Sequence, residues 1–312
     1  MTSSLGTSAS LDALMPTEMA AKAEQIGVRK AAMDPVSTFV LAVLAGAFIA
    51  LGAVFATTVT AGAAGILPWG IVRLLAGIVF SLGLILVVVG GAELFTGNAL
   101  IVMAWDTRKV TTRRLLGNWL VVYIGNFVGS IGTVGLMFLS GQYRFGSGAV
   151  GAVALTTGAG KLGYGFVQAV ALGILCNALV CLAVWLTYSA RSTTDKIMAI
   201  LFPIAAFVAA GFEHSVANMY FIPIALVIRE LAPPEFWTTI GKTAAEYDVL
   251  AWGNFLVRNL IPVTIGNIIG GAALVGAVYG LVYLRPRTPR PGGRAVAATG
   301  TPAEQPGGAG GR

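Results

Sequence analysis

Three ionisable residues, Glu93, Glu213 and His214, interrupt stretches of the sequence that are otherwise apolar. If those stretches span a membrane, such side chains are costly to bury and are candidates for a functional site. His214 is the only histidine in the chain, and an imidazole exchanges a proton readily near neutral pH. Because it is alone, it forms neither a two-histidine relay nor a histidine metal centre. We interpret His214 as a functional residue, with a simple buried histidine as the alternative.

Two short motifs each occur twice in the sequence, in the same order. Glu, four residues and Asn form the pairs Glu93–Asn98 and Glu213–Asn218, and each pair closely follows a glycine. Ile-Gly-Asn recurs at residues 124–126 and 265–267, where glycines spaced four apart predict close helix packing. The order of the motifs predicts an internal repeat, with a helix interruption at each Glu–Asn pair.

The residues of the Glu–Asn pairs are expected to stabilise the helix interruptions. A broken helix leaves backbone N–H groups without partners, and a carboxylate beside the break can accept hydrogen bonds from them. We therefore predict structural roles for Glu93, Glu213, Asn98 and Asn218. A proton-carrying role of the two carboxylates is the alternative.

Further side chains lie within a few turns of the interruptions. A hydrogen bond between Thr96 and His214 across a pseudo-twofold axis would join the two halves. Asn177 is either a donor along a pathway or a polar contact between helices. Bulky apolar residues nearby either pack in the interior or form dry constrictions that exclude ions. These bulky residues are Phe80, Leu84 and Phe207.

The composition is that of a membrane protein. Hydrophobic residues make up 56% of the 312 residues and charged residues only 11%, whereas about 25% of an ordinary soluble domain is charged. This balance excludes a soluble globular protein and a disordered protein. It also excludes a nucleic-acid-binding protein, because the basic residues behind the net charge of +7 mostly lie outside the apolar segments. Cys176 and Cys181 lie within one apolar segment and predict neither a disulfide nor a metal site.

Six apolar segments are long enough to cross a bilayer, which takes about 20 helical residues. Three spans per half is an odd number, so the second half would insert upside down, as in the inverted repeats of many transporters. We therefore predict an all-α membrane protein, with residues 36–285 as its membrane domain and with its second and fifth helices interrupted. The two inverted three-helix repeats cover about residues 36–141 and 164–284. The spans lie near residues 36–62, 71–105, 115–141, 164–188, 197–228 and 255–284.

The segments outside the spans predict the orientation. Most Lys and Arg residues fall on the side that holds both termini, and positive charge favours the cytoplasm. Residues 1–35 form a cytoplasmic segment in which Pro16 to Met33 has the pattern of an amphipathic helix. This helix lies either on the membrane surface or over a cytoplasmic mouth. Residues 286–312, rich in Pro, Gly and Ala, are predicted to be a disordered cytoplasmic tail.

Four stretches of the sequence resemble motifs of the formate/nitrite transporter family, most closely those of its formate channels. The resemblance covers roughly residues 30–285, and the Glu-His-Ser-x-Ala-Asn segment is the most specific part of it. The stretches are 91–96 (GAELFT), 181–185 (CLAVW), 211–219 (GFEHSVANM) and 259–271 (NLIPVTIGNIIGG).

The resemblance implies an aquaporin-like fold and a homopentamer with one pore in each protomer. It implies that His214 and Thr96 face the substrate at the pore centre, that Asn177 lines the path, and that Lys161 attracts anions at the periplasmic vestibule. The N-terminal helix would gate the cytoplasmic mouth in response to pH. The constrictions implied by the resemblance are formed by Phe80, Leu84, Leu94 and Phe207.

The predicted function is passage of a small monovalent anion across the bacterial cytoplasmic (inner) membrane, with formate as the favoured substrate. Glu93 and Gly97 resemble nitrite-type members, whereas residues 222–237 and 259–271 resemble formate channels, so nitrite or hydrosulfide is the alternative. A neutral-solute channel of the aquaporin type would need paired Asn-Pro-Ala motifs, which the sequence lacks. No enzyme activity, cofactor or metal is predicted. The expected partners are the anion, protons, membrane lipids and further copies of the chain, and no nucleic acid.

Overall fold

A computed structural model describes residues 12–285 of the protein, and every regular element within that range is helical. In this part of the chain six helical segments are long and apolar enough to cross a membrane, in agreement with the sequence prediction. We number them spans 1 to 6 in chain order. Span 6 is a series of shorter helices that includes π-helical turns. The bounds are Pro35–Thr60, Trp69–Gly90, Thr112–Leu139, Phe166–Ser189, Thr193–Ala210 and Ala244–Tyr283.

Span 1 shows how the local sequence sets a helix end. The side chain of Asp34 accepts hydrogen bonds from the N–H groups of Val36 and Ser37, and Pro35 occupies the first helical position. Both features favour a helix start. The 26 residues that follow are almost all apolar and extend about 39 Å at 1.5 Å per residue. This length exceeds the roughly 30 Å of hydrocarbon in a bilayer.

Glycines allow neighbouring spans to approach closely. A Cβ on Gly129 of span 3 would overlap the carbonyl of Val43 in span 1. In the same way, a Cβ on Gly270 of span 6 would overlap the carbonyl of Ile174 in span 4. Both glycines lie four residues after the glycine of an Ile-Gly-Asn motif. The close packing brings the asparagine of each motif toward a helix interruption.

Spans 2 and 5 each end inside the protein at a glycine in the left-handed conformation. Gly91 has a φ of 80° and Gly211 a φ of 79°, values that favour glycine because it has no Cβ. Residues 92–94 and 212–214 are not helical, and a new helix begins directly after each of them. The second and fifth helices are therefore interrupted, as predicted. The inverted orientation of the two halves stays a prediction.

Two shorter helices pack against the segments that follow the interruptions. The N-terminal helix, Pro16–Ala32, lies against the residues after the first interruption. The helix Ala149–Lys161 packs against the helix after the second. This second helix is not among the elements predicted from the sequence, because its glycine-rich stretch contains no apolar run long enough for a span. Residues 286–312 lie outside the described residues, so their disorder stays a prediction. The remaining helices include Phe95–Asn98, Val102–Asp106, Ser215–Leu231 and Pro234–Ile240.

Candidate functional site

Each helix interruption holds a cluster of one lysine, one glutamate and two asparagines. In the first cluster, Lys30 Nζ donates to Glu93 Oε1 at 2.7 Å and to Asn98 Oδ1 at 2.9 Å. Asn98 Nδ2 donates to Glu93 Oε2 at 2.7 Å and to Asn118 Oδ1 at 2.9 Å. Glu93 is only 4% exposed, so Lys30 supplies the opposite charge that a buried carboxylate requires.

The second cluster repeats the main bonds of the first. Lys161 Nζ donates to Glu213 Oε1 at 2.8 Å. Asn218 Nδ2 donates to Glu213 Oε2 at 2.7 Å and to Asn259 Oδ1 at 2.7 Å. Lys161 therefore corresponds to Lys30, and the similarity between the two halves extends to the short helices that carry these lysines.

The backbone of each interruption is held by an asparagine from span 3 or span 6. The N–H of Phe95 donates to Asn126 Oδ1 at 2.9 Å, and the N–H of Ser215 donates to Asn267 Oδ1 at 2.9 Å. Each of these asparagines also donates from Nδ2 to two backbone carbonyls. The expectation that the glutamate carboxylates accept the backbone N–H groups is therefore wrong. The carboxylates instead accept hydrogen bonds from lysine ammonium and asparagine amide groups. Without these bonds, the lysine and asparagine donors would be buried without partners.

Thr96 and His214 meet between the two interruptions. Thr96 Oγ1 and His214 Nε2 are 3.0 Å apart, and both side chains are buried. His214 Nδ1 accepts the backbone N–H of Ala217 at 3.0 Å. A nitrogen that accepts carries no proton, so we assign the proton of the neutral ring to Nε2, which donates to Thr96 Oγ1. The hydrogen bond considered in the sequence analysis is present.

Two buried polar atoms beside His214 have no hydrogen-bond partner among residues 12–285. They are Ser215 Oγ and Asn218 Oδ1. Buried polar atoms are usually paired, so these atoms mark a place where water or a polar solute would gain hydrogen bonds.

Each helix interruption borders one cavity. The N-side cavity has a volume of about 210 Å³ and is bordered by the N-terminal helix, by members of the first cluster and by Leu84 and Leu94. The far cavity has a volume of about 720 Å³ and is bordered by members of the second cluster and by Phe80, Phe207 and His214. The far cavity therefore reaches His214, whereas the N-side cavity is bordered by Leu94 and Gly97, which lie on either side of Thr96 in the chain.

A thin apolar barrier separates the two cavities. Phe80 borders the far cavity and Leu84 the N-side cavity, and one helical turn, about 6 Å, lies between them. The ring of Phe80 meets the ring of Phe207 edge-on at 5.8 Å, and Phe207 stacks on His214 at 5.9 Å. Phe80, Phe207 and His214 therefore border the far cavity together, and Leu84 lies one turn further along span 2 at the N-side cavity.

Asn177 lies apart from the other residues predicted for the pathway. Its side chain is buried, donates to the carbonyl of Asn267 at 2.6 Å, and borders neither of the two cavities. Lys161 borders the far cavity, but its charge is paired with that of Glu213. The structure thus brings His214, Thr96 and the bulky residues together and leaves Asn177 in a helix contact.

Three members of the clusters were not identified from the sequence: Lys30, Asn118 and Asn259. Asn118 and Asn259 each stand eight residues before the asparagine of an Ile-Gly-Asn motif. This repeated spacing could have revealed both. Lys30 has no comparable signal. Its counterpart, Lys161, lies in the helix Ala149–Lys161, which was not predicted from the sequence, so the match between the two lysines could not be seen.

Comparisons with known proteins agree with the resemblance seen in the sequence. The family model for formate/nitrite transporters matches residues 17–281. The formate channel FocA of Escherichia coli K12 is 51% identical over 274 residues, which are 88% of this chain and 96% of that protein. The formate channel FocB of the same strain is 41% identical over 276 residues, or 88% of this chain and 97% of that protein. A solved structure described as a pentameric formate channel with formate bound is 48% identical, has a TM-score of 0.77, and covers 80% of this chain and 98% of its own.

Proposed function

Because the chain belongs to the formate/nitrite transporter family, we propose that it is a channel for small monovalent anions, with formate as its main substrate. Two relatives and the similar solved structure are named as formate channels, which supports formate. Nitrite is the second candidate, because Glu93 and Gly97 resemble the nitrite-type members.

The observation that carries the proposal is the hydrogen bond between Thr96 and His214. It lies beside the apolar barrier, where Phe207 stacks on His214, and its atoms are polar groups that a small solute can bind. The barrier residues act as the constrictions and exclude water and ions. These residues are Phe80, Leu84, Leu94 and Phe207.

Formate crosses the barrier as the neutral acid. Moving an isolated carboxylate into a dry interior costs about 20 kcal/mol in the idealised limit and several kcal/mol after relaxation. A simple carboxylic acid has a pKa of about 4, so protonating it at pH 7 costs about 4 kcal/mol. Protonation is therefore the smaller cost in the driest part of the pathway.

His214 serves as a neutral hydrogen-bonding group and not as the source of the proton. To give a proton away and remain a neutral imidazole, the ring would first need protons on both nitrogens. Nδ1 instead accepts the N–H of Ala217, and a proton there would break this bond and face a second donor. The substrate therefore takes its proton from water in a cavity, and Thr96 and His214 replace the hydrogen bonds that the acid loses at the barrier.

The two lysines contribute to the potential at the inner ends of the cavities. Lys161 borders the far cavity and Lys30 the N-side cavity, and each is paired with a glutamate. Their net attraction for an anion is therefore smaller than that of free lysines. Asn177 fixes span 4 to span 6 through its bond to Asn267.

The protein is proposed to lie in the bacterial cytoplasmic membrane as a homopentamer, the assembly named for the 48%-identical structure. Both termini face the cytoplasm, because most lysines and arginines outside the spans lie on that side. The N-terminal helix then covers the cytoplasmic cavity. Lys109 pairs with Glu24 of this helix at 2.6 Å, a contact whose opening would widen the cytoplasmic mouth.

Tracer flux in proteoliposomes tests the proposed substrate and pathway. We expect saturable formate flux above that of empty liposomes, and faster flux of formate than of nitrite. Thr96→Val removes the hydroxyl at the barrier and is expected to lower formate flux. Thr133→Val is the matched control, because the buried Thr133 hydroxyl bonds only the Gly129 carbonyl of its own helix. Preferential nitrite flux would assign the protein to the nitrite branch, and equal flux in both variants would refute the pathway.

A further inference from the structure

Arg73 lies on the wall of the far cavity, at the start of span 2 and about two helical turns before Phe80 of the barrier. Arg73, Ala76 and Phe80 border this cavity from one face of span 2, as residues three and four apart on a helix do. The Arg73 side chain is only partly buried. The ring of Trp69 lies 6.0 Å from its guanidinium carbon and restricts its position.

The guanidinium of Arg73 is anchored by one of its edges. Nε–H donates to the carbonyl of Ala209 at 3.4 Å, and Nη2 donates to the carbonyl of Val208. Both carbonyls belong to the last turn of span 5, just before the second interruption. These bonds use the side edge of the planar group. The end edge, formed by Nη1 and the second hydrogen of Nη2, has no partner within the described chain.

The charge of Arg73 is not paired in this structure. The ionisable residues that border the far cavity are Arg73, Lys161, Glu213, His214 and Tyr164. Glu213 is the carboxylate among them, and it already pairs with Lys161 at 2.8 Å. None of the ion pairs in residues 12–285 includes Arg73. The wall of the far cavity therefore carries a net positive charge with a free pair of donors.

We propose that Arg73 is the docking site where an anion binds in the far cavity before it reaches the barrier. Two parallel N–H donors match an anion with two oxygens on one atom, such as a carboxylate or nitrite. A single-atom anion such as hydrosulfide receives no such bidentate match. This inference rests on the proposed function and narrows it to planar two-oxygen anions. The anchoring bonds to span 5 hold the free edge in place for the ligand.

The test measures formate entry into membrane vesicles and formate exit from them, for Arg73→Met and for Arg144→Met. Arg144 lies on the same side of the protein but does not border the far cavity, so its variant controls for surface charge. Losing a charge-assisted bidentate contact is expected to raise the half-saturating formate concentration about three- to tenfold. The half-saturating concentration should rise only when formate enters from the side of the far cavity. The maximal rate should fall by a smaller factor than this concentration rises.

Arg73→Lys keeps the charge but removes the fork of donors, and it is informative even if Arg73→Met does not assemble. We expect this variant to lose preference for formate over hydrosulfide. An unchanged half-saturation in Arg73→Met, or an unchanged preference in Arg73→Lys, would overturn the docking site. A wild-type protein that carries no formate would instead refute the proposed function, so the two failures are distinguishable.

Discussion

Asn267→Ala should destabilise the protein strongly, because one side chain satisfies three buried backbone groups. Asn267 Oδ1 accepts the N–H of Ser215 at 2.9 Å, and Nδ2 donates to the carbonyls of Gly173 at 2.8 Å and Glu213 at 3.0 Å. Leaving a buried polar group without a partner costs about 1–3 kcal/mol. Three such groups give about 3–9 kcal/mol, a large part of the total stability of a typical protein, about 5–15 kcal/mol.

Asn177→Ala is the matched control for this prediction. Asn177 is as buried as Asn267, at 1% against 0% exposure, but its amide donates to a single backbone carbonyl. The expected loss is therefore about 1–3 kcal/mol. Thermal unfolding of both variants in the same detergent gives the order of their midpoints. Equal midpoints would refute the reasoning that Asn267 holds the second interruption.

Three further predictions concern packing, charge and pH. Gly129→Ala should lower stability by about 1–3 kcal/mol through overpacking. Gly132→Ala should raise it by up to about 1 kcal/mol, because a Cβ there would meet open space. Unfolding temperatures that shift in the same direction in both variants would contradict this packing. Glu213→Gln should cost about 3 kcal/mol because it leaves Lys161 unpaired; an unchanged unfolding midpoint would show that water solvates this lysine. The pKa of the Asp34 carboxyl lies below its ordinary value, owing to hydrogen bonds from the serine three positions on. The stabilisation by this carboxylate is therefore present at neutral pH and is lost as the pH falls through the lowered pKa. The difference in stability between wild type and Asp34→Asn should accordingly disappear at acidic pH. A difference that does not change with pH would contradict this prediction.

The spans and interruptions follow from short-range signals in the sequence. Apolar length predicts the spans, and the glycines before Glu93 and Glu213 predict the breaks, because both signals act within a few residues. The glutamate partners were predicted incorrectly, because Lys30 and Lys161 come from separate short helices that only the tertiary fold brings to the carboxylates. The role proposed for Arg73 was likewise not visible in the sequence, since the orientation of its guanidinium depends on carbonyls more than 100 residues away.

The number of protons that move with each formate distinguishes passage of the neutral acid from passage of the anion. Formate uptake and internal pH are followed together in proteoliposomes whose membrane potential is clamped at different values, with empty liposomes subtracted. Passage as the neutral acid predicts one proton per formate and a rate that does not depend on the membrane potential. His214→Asn should slow the flux without changing this ratio, because in the proposed mechanism the proton comes from water and not from His214. Formate uptake without protons, driven by the membrane potential, would contradict passage as the neutral acid.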